Sequence, residues 1–409
     1  MMIYFFTVFI PACFILSFYV SQVFKTLQAS KIWYYLFWVV AIIIPLNLIL
    51  QWTFRAKSIW NPILVYSVAA LVIWLFMLIT ATLVLFLEDI QRICIRLFRK
   101  KPNPNAKTSL PSRRKFIGWM ALGLAMVPFA SMIYAITKGR YNYKVWKYTL
   151  YYDDLPEAFE GYTLTQISDV HCGSFDNREK IQYGIDLINQ QKSDVILFTG
   201  DLVNNIASEI LPWKDIFGQL RARDGVFSTL GNHDYGDYSN WTSPQEKAQN
   251  FEDFKRLQKE MGWDLLLNEH RYLEKDGQRI ALVGVENWGY GHYSKHGDLE
   301  KALEGVDDND FKILMSHDPT HWEYVVLPQN KNIHLTLSGH THGMQLGIEI
   351  EGFIKWSPGT WQYKYWAGMY EEQGKRLNVN RGFGYLAFPG RLGVWPEITV
   401  IELRKTPTA

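Results

Sequence analysis

Cysteine is scarce in this 409-residue chain, and basic charge is scarce in its C-terminal two thirds. Of the three cysteines, Cys13, Cys94 and Cys172, the last is the one that follows residue 137. No disulfide can therefore form within that part, and cysteine usage does not identify the compartment. Because the same part holds 29 Lys/Arg against 38 Asp/Glu, it lacks the basic surface that a nucleic-acid partner requires.

Four runs near the N-terminus contain no charged residue, and each is long enough to cross a bilayer, which takes roughly 20 apolar residues. They cover residues 1–24, 32–52, 59–87 and 116–137. The first has no basic segment before it, and Lys25 follows it, which predicts a true span rather than a cleaved signal peptide. Residues 1–137 are therefore predicted to be a transmembrane region of four helices.

Basic residues in the segment 89–115, between the third and fourth runs, set the predicted orientation. This segment carries nine Lys/Arg and is expected to be a cytoplasmic loop. The part that follows the fourth span then lies on the non-cytoplasmic side of a plasma or inner membrane. Arg113-Arg114 looks like a twin-arginine export signal, although ordinary flanking charge explains it equally well. The proline-rich residues 102–112 are predicted to be a linker.

Residues 147–409 alternate strand-like apolar runs with amphipathic helical runs, which predicts an α/β domain. The predicted strands cover residues 163–168, 195–199, 226–230, 280–285, 311–315 and 333–337. The clearest predicted helices cover residues 178–191 and 244–261. After residue 343 the chain is rich in aromatic residues and glycine, which indicates hairpins and loops.

Polar side chains that can bind metals follow five of these strands, where an α/β sheet presents its ligand crevice. The motifs are Ser168-Asp169-Val170-His171, Gly200-Asp201, Gly231-Asn232-His233-Asp234, Ser316-His317-Asp318 and Gly339-His340-Thr341-His342-Gly343. In extended chain, residues i and i+2 point the same way, so Asp169 with His171, and His340 with His342, are each expected to face one site. The mixture of carboxylate, amide and imidazole ligands favours Mn, Fe, Zn, Co or Ni.

This order of motifs resembles the calcineurin-like metallophosphoesterase family over residues 160–402, and the preceding helices resemble its membrane-anchored branch. The resemblance implies a two-sheet α/β sandwich and two divalent metal ions that share Asp201. The first ion would be bound by Asp169, His171, Asp201 and His342. The second would be bound by Asp201, Asn232, His317 and His340. His233 would stabilise the phosphoryl oxygen or protonate the leaving group, and Asp234 would orient it.

The chemistry implied by this resemblance is hydrolysis of a phosphoester bond by a hydroxide that bridges the two metals. The leaving oxygen needs a proton, which an imidazole can supply. No protein nucleophile is required, so Cys172 is interpreted as a small buried side chain. The motifs do not distinguish phosphomonoesters, phosphodiesters and pyrophosphates, and they do not indicate the oligomeric state.

Several weaker features carry alternative interpretations. His292 and His296 belong either to a substrate lid or to ordinary surface, and His321 and His334 are expected to be structural. An aromatic cluster either packs normally or marks a membrane boundary or a pocket for a lipid-like substrate; its members are Trp356, Trp361, Tyr363, Tyr365 and Trp366.

Two other classes of function compete with the hydrolase. A membrane receptor or scaffold could bind metal or ligand without turnover, but such a protein has no need of His233 together with a full ligand set. A transporter could use the four spans as its working part, but those spans contain no ionisable Asp, Glu, Lys, Arg or His, which ion and proton pathways usually require.

Overall fold

A computed structural model describes residues 8–54, 62–98, 110–291, 293–329, 331–350 and 352–407. It divides the chain into two compact units, with the boundary between residues 135 and 136.

The first unit consists of helices α1 to α4, and each is long and apolar enough to cross a membrane, as the sequence predicts. Their bounds are Ile10–Leu27 (α1), Lys31–Phe54 (α2), Pro62–Phe98 (α3) and Leu110–Thr137 (α4). Within the unit, Asn47 Nδ2 on α2 donates to Ser67 Oγ on α3 over 2.7 Å. Polar contacts of this kind hold helices together where water is absent.

The described parts of the predicted cytoplasmic loop 89–115 are helical. Residues 89–98 continue α3, and residues 110–115 form the first turns of α4. Helical pairing of opposite charges favours the extension, since Arg92 Nε lies 3.2 Å from Glu88 Oε2 one turn earlier. The remainder of that segment, with most of the predicted linker 102–112, lies outside the described residues.

The second unit contains two six-stranded sheets. The first has the order β1-β14-β2-β3-β4-β5, and the second has the order β12-β13-β9-β8-β7-β6. The strands of the first are Lys144–Tyr152 (β1), Glu397–Lys405 (β14), Tyr162–Ile167 (β2), Val195–Phe198 (β3), Val226–Ser228 (β4) and Trp263–Leu265 (β5). Those of the second are Gly368–Glu372 (β12), Lys375–Val379 (β13), Leu335–Ser338 (β9), Lys312–Met315 (β8), Gln278–Gly284 (β7) and Glu269–Lys275 (β6).

A third, two-stranded sheet and four α-helices also lie among the described residues of this unit. The small sheet pairs Ile348–Ile350 (β10) with Ile354–Trp356 (β11) in antiparallel fashion. The helices are Arg178–Gln190 (α5), Lys214–Phe217 (α6), Pro244–Glu260 (α7) and Leu299–Ala302 (α8). Asn177 and Ser243 cap α5 and α7, since each side-chain oxygen accepts an amide hydrogen from the first turn.

Successive side chains along each strand point to opposite faces of the sheet, so one sheet contributes to two hydrophobic cores. On β3, Val195 and Leu197 enter the core between the two large sheets, whereas Ile196 and Phe198 enter the core under the helices. The second large sheet repeats the pattern, with Ile313 facing the first sheet. Because both faces of these strands are buried, they have the continuous apolar runs by which they were predicted. The two-sheet α/β sandwich is thereby confirmed, with helices on its outer faces.

All six predicted strands are present, with ends shifted by at most two residues, and both predicted helices are present. Strand β6 and the C-terminal strands were not individually assigned from the sequence. Charged residues and turns interrupt the apolar pattern of these strands, as in β12 and β13. The hairpin between those two strands is closed by Gln373 and Gly374, which both have positive φ.

Candidate metal centre

The five motifs meet at one edge of the sandwich, because they follow the C-terminal ends of parallel strands. Strands β2, β3 and β4 run parallel in one sheet, and β8 and β9 run parallel in the other. The six predicted ligands that are Asp or His fall into two groups, and in each group the potential ligand atoms lie within 4.8 Å of one another. The groups are Asp169 with His171 and His342, and Asp201 with His317 and His340.

The first group is held together across the two sheets. His171 Nε2 lies 3.0 Å from His342 Nε2, and His342 Nε2 lies 3.3 Å from Asp169 Oδ1. His171 Nε2 is also 3.5 Å from Asp201 Oδ2. Two imidazole nitrogens and two carboxylates therefore converge on one point.

Asp201 links this group to the second, since its Oδ2 also lies 3.1 Å from His317 Nε2. The same His317 nitrogen is 4.0 Å from Asp169 Oδ1. The other oxygen of Asp201, Oδ1, accepts a hydrogen bond from the backbone amide of His233 over 2.9 Å. The carboxylate of Asp201 thus lies between both groups, in the position that the resemblance implies for a bridging ligand.

Backbone carbonyls fix the orientation of two of these imidazoles. His171 Nδ1 lies 3.1 Å from Val203 O, and His317 Nδ1 lies 2.7 Å from Thr199 O. When Nδ1 carries the hydrogen and donates it to a carbonyl, Nε2 keeps its lone pair for a metal. His340 has the reverse arrangement, because its Nε2 lies 2.9 Å from Tyr363 Oη, which makes Nδ1 its candidate ligand atom.

Asn232 provides a separate indication that the site accommodates a cation. Its Oδ1 is buried without a hydrogen-bond partner, while its Nδ2 donates to Tyr238 Oη over 2.8 Å. A buried amide oxygen without a partner is costly, and a metal ion would satisfy it. The donor set of carboxylate, amide and imidazole atoms suits a borderline divalent ion, so these residues fit the metals that the resemblance implies.

The backbone conformation at the site, and not the extended chain assumed in the sequence analysis, brings these side chains together. Asp169, His171, His340 and His342 all have positive φ, between 47° and 71°. They lie in turns beyond the strand ends, so the extended-chain alternation of residues i and i+2 does not apply to them. As a result, His340 and His342 belong to different groups. Left-handed conformations at non-glycine residues cost energy and concentrate at functional sites.

Two glycines permit the close approach of the loops. Gly200 has φ of 95°, and a Cβ atom there would lie 2.5 Å from the amide nitrogen of Gly231. At Gly339 a Cβ atom would lie 2.0 Å from Ser168 Oγ and 2.2 Å from Asp169 Oδ2. Glycine is therefore required at both positions.

The predicted pairing of Asp234 with His233 is not observed. Instead, the Asp234 carboxylate accepts hydrogen bonds from four backbone amides, those of Asp201, Leu202, Val203 and Gly231. His233 Nδ1 lies 2.6 Å from Asn204 O, and its ring packs edge-on to that of His171 with centroids 4.9 Å apart. A backbone carbonyl thus orients His233, while Asp234 joins the two loops that carry Asp201 and Asn232.

Buried charge makes the site favour a cation. Burial acts to lower the pKa of His317, but the charge of Asp201, a hydrogen bond to that carboxylate and the charge of Asp169 raise it to about 10. Burial raises the pKa of Asp169 to about 6 and lowers the pKa of His171 to about 3. The two carboxylates therefore favour positive charge between them, and His317 supplies it as a proton.

Other sequence-predicted residues take varied positions. Cys172 is confirmed as buried, and burial raises the pKa of its thiol. His321 and His334 are buried and bonded to protein groups: His321 to Ser316 Oγ at 2.8 Å, and His334 to Asp154 Oδ2 at 2.7 Å. His296 lies on the surface and packs against Tyr235. His292 lies outside the described residues.

The aromatic cluster separates into two parts. Tyr363, Tyr365 and Trp366 are buried, which corresponds to ordinary packing. Trp356 and Trp361 are exposed, Trp361 with 80% of its surface accessible. Tyr363 also contacts His340, a role that no sequence pattern indicated.

Comparison with known proteins shows which families and relatives the chain resembles. Residues 2–140 match the model of the "Probable Calcineurin-like phosphoesterase, transmembrane domain" family, and residues 162–344 match that of the "Calcineurin-like phosphoesterase" family. The Bacillus subtilis metallophosphoesterase YkuE is 29% identical over 305 residues, which cover 72% of this chain and 98% of YkuE. A Danio rerio "Transmembrane protein with metallophosphoesterase domain" is 32% identical, and its Bos taurus counterpart is 31% identical. Each match covers 62% of this chain and 55% of the vertebrate protein.

Proposed function

This chain belongs to the calcineurin-like metallophosphoesterase family and carries an N-terminal transmembrane region. On that basis we propose that it hydrolyses a phosphoester bond with two divalent metal ions. The position of Asp201 between two groups of ligands is the observation that carries the proposal. We assign Asp169, His171, Asp201 and His342 to one ion. Asp201, Asn232, His317 and His340 are assigned to the other. Mn, Fe, Zn, Co and Ni all suit these ligands.

When bound, the two ions would supply a Lewis acid for the phosphoryl group and a water made acidic enough to attack as hydroxide. The protein's own contribution is to hold the ligands in place. The carbonyls of Val203 and Thr199 fix two imidazoles, and the Asp234 carboxylate holds the loops of Asp201 and Asn232 together. This rigidity keeps the geometry unchanged during the reaction.

His233 is proposed to contact the phosphoryl oxygen or to protonate the leaving oxygen. Among the histidines of these motifs, His233 is the one that we assign to neither metal ion. It packs beside His171 at the site. Burial lowers the pKa of His233, so the ring is neutral before the substrate binds. An anionic phosphoester next to the ring would favour its protonated form, which is the form that can donate a proton.

The domain is proposed to act on the non-cytoplasmic side of the membrane, as the basic residues of 89–115 favour. A lipid-like phosphodiester or pyrophosphate is the proposed substrate class. Support for it comes from the exposed Trp361, which lies two residues from Tyr363, the partner of His340. An exposed apolar side chain this near in the sequence to a contact of a proposed ligand suits a substrate with an apolar part.

The proposal can be tested with purified full-length protein that carries Asp201→Asn. Wild-type and variant are stripped of metal, reloaded with Mn, and given a chromogenic phosphodiester and a chromogenic phosphomonoester. We expect Mn-dependent hydrolysis by the wild-type protein and its loss in the variant, because Asp201 serves both ligand groups. Asp186→Asn is the matched control, since it makes the same chemical change on the exposed face of α5.

Bound Mn is measured in every sample. Wild-type protein that binds two Mn ions and hydrolyses neither ester, nor a phospholipid, would instead favour a receptor or scaffold that binds metal without turnover.

A further inference from the structure

The small sheet of β10 and β11 exposes an unusually apolar face. We name residues 346–350 and 352–361 the apolar ribbon. Its cross-strand pairs Ile348–Trp356 and Ile350–Ile354 lie on the same face. These four side chains expose 50%, 39%, 54% and 38% of their surfaces respectively. A solvent-facing sheet surface normally carries polar residues, so this face calls for an apolar partner.

The opposite face of the ribbon explains why the apolar face points outward. The pair between the two apolar ones is Glu349 and Lys355. Glu349 pairs with the buried Arg381, and Lys355 Nζ donates to the carbonyl of Ala367. These polar contacts attach the ribbon to the domain by its charged face. The apolar face is consequently held away from the domain.

The ribbon also carries most of the exposed large hydrophobic side chains other than tyrosine among the described residues of the second unit. Phe353, at the turn of the ribbon, exposes 85% of its surface, and Trp361, at its end, exposes 80%. Among the described residues after 137, the exposed large hydrophobic side chains other than tyrosine lie between 344 and 361, with the single exception of Leu211. A patch so concentrated marks an interaction surface.

The path of the chain after α4 indicates which apolar partner could cover this face. Helix α4 ends at Thr137, and Gly139 follows two residues later, which places it within about 7 Å of the end of the span. A Cβ atom at Gly139 would lie 2.1 Å from the carbonyl oxygen of Arg391, so the backbones touch there. The next residue, Leu392, forms a bridge with Leu346 and accepts a hydrogen bond from the amide of Gly347 over 3.0 Å.

The base of the ribbon is therefore joined through Arg391 and Leu392 to Gly139, which follows the last residue of α4 by two positions in the sequence. We propose that the apolar face of the ribbon inserts into the interfacial layer of the bilayer that the four helices cross. Exposed tryptophans suit that layer, because their rings sit at the level of lipid headgroups. The insertion depends on burial of apolar area, and it does not require the proposed hydrolysis.

The insertion has a consequence for the substrate, which rests on the proposed function. The ribbon begins four residues after His342, and Ser357 Oγ, directly after β11, donates to Gly343 O over 2.6 Å. Two residues after the ribbon ends, Tyr363 contacts His340. Both ends of the ribbon thus join the loop that carries two proposed ligands. An inserted ribbon places that loop at the bilayer surface, where the phosphoester of a lipid headgroup is located.

Site-directed spin labelling tests the insertion directly. In full-length protein with Cys13→Ala and Cys94→Ala, while the buried Cys172 stays in place, a nitroxide is attached at Phe353→Cys. The protein is reconstituted in nanodiscs of phosphatidylcholine and phosphatidylglycerol. Leu211→Cys is the matched control, because Leu211 is also an exposed apolar residue, with 56% of its surface accessible, and it lies outside the ribbon. Collisions of each label with oxygen and with a water-soluble nickel chelate are measured.

We expect the label at position 353 to collide with oxygen and to be protected from the nickel chelate, whereas the label at position 211 collides freely with the chelate. Equal exposure of both labels to the chelate would overturn the proposal. Protection of position 353 from both reagents would also overturn it, because the ribbon would then be covered by protein, such as a second copy of the chain.

A second experiment tests the consequence for the substrate. Phe353→Glu is assayed on a phospholipid in bilayers and on a short water-soluble phosphodiester. Loss of a large apolar contact should lower kcat/KM for the bilayer substrate by about tenfold, with the soluble substrate unaffected. Equal rates on the bilayer substrate would reject the role of the ribbon in access. If wild-type protein hydrolyses neither substrate, the proposed function fails, while the labelling result still decides the insertion.

Discussion

The Nδ1 atom of His233 lies 2.6 Å from the carbonyl oxygen of Asn204. Asn204 follows Asp201 by three residues, so the loop that supplies the proposed bridging ligand also orients the proposed acid. The Asp234 carboxylate binds the amides of this loop and of the loop that contains Gly231. The two loops therefore form one frame, in which His233 is held outside both groups of potential ligands.

Replacement of His233 by Gln should separate chemistry from metal binding. We expect kcat to fall by about 10²- to 10⁴-fold, the range for loss of a positioned acid or base. Bound metal should stay at the wild-type level, since His233 belongs to neither ligand group. The measurement combines Mn-dependent hydrolysis with elemental analysis of the purified protein.

His270→Gln is the control for His233→Gln, because His270 Nδ1 is also bonded to a backbone carbonyl, that of Ala302 at 3.1 Å, but on strand β6. Its activity should match the wild type. Unchanged activity in His233→Gln, or a matching loss of metal, would contradict the assigned role.

The motifs allowed a candidate site to be predicted from the sequence because their residues follow buried strands, whose continuous apolar runs are easily recognised. The two-sheet sandwich and the convergence of Asp169, Asp201 and His317 follow from that pattern. What the sequence could not provide is the backbone conformation beyond the strands. The positive φ of His340 and His342 directs two neighbouring histidines to different groups, and an argument based on extended chain cannot anticipate this.

Contacts made by backbone atoms were equally hidden. The role of Asn204 is carried by its carbonyl, which every residue possesses, so its identity gave no signal. Asp234 was linked to His233 because the two are adjacent, yet the carboxylate serves amides that lie 31 to 33 residues away, as well as that of Gly231. The exposed face of β10 and β11 required the register of the hairpin, which fixes which side chains share a face.

Gly339→Ala should damage the metal site without a large change in overall stability. A Cβ atom there would lie 2.2 Å from Asp169 Oδ2, so the carboxylate or the loop of His340 must move. We expect weaker metal binding and loss of Mn-dependent hydrolysis, measured by titration of Mn into metal-free protein.

Gly277→Ala is the control for backbone strain, because Gly277 has φ of 76° and open space around its Cβ position. It should cost about 1 kcal/mol in stability and leave Mn affinity intact. Equal Mn affinity in Gly339→Ala and wild-type protein would refute the steric argument.

A buried hydrogen bond between the sheets should contribute measurably to stability. Gln166 Oε1 on β2 accepts from Asn378 Nδ2 on β13 over 2.7 Å, and Gln166 Nε2 donates to Ser338 O over 2.8 Å. Both side chains are fully buried. Gln166→Leu and Asn378→Leu should each destabilise the protein by about 1–3 kcal/mol, because each leaves a buried polar group without its partner.

The double variant Gln166→Leu/Asn378→Leu distinguishes this pairing from simple loss of packing. Its destabilisation should be smaller than the sum of the single effects, since the second change removes the group left unpaired by the first. Thermal unfolding of full-length protein in detergent provides the comparison, and strictly additive effects would argue against a direct interaction.

His321 should make stability depend on pH below neutrality. Burial lowers its pKa to about 4 in the folded protein, whereas its unfolded pKa is about 6.5. Between these pH values the unfolded chain binds more protons than the folded protein, so the free energy of unfolding rises with pH. The contribution of His321 to stability is therefore lost as the pH falls from about 6.5 towards 4. The contribution amounts to up to about 3 kcal/mol.

His321→Gln retains a group that can bond Ser316 Oγ but cannot titrate. With saturating metal, unfolding temperatures of this variant should therefore fall less steeply over that range than those of the wild type, and parallel curves would show that His321 does not control the effect.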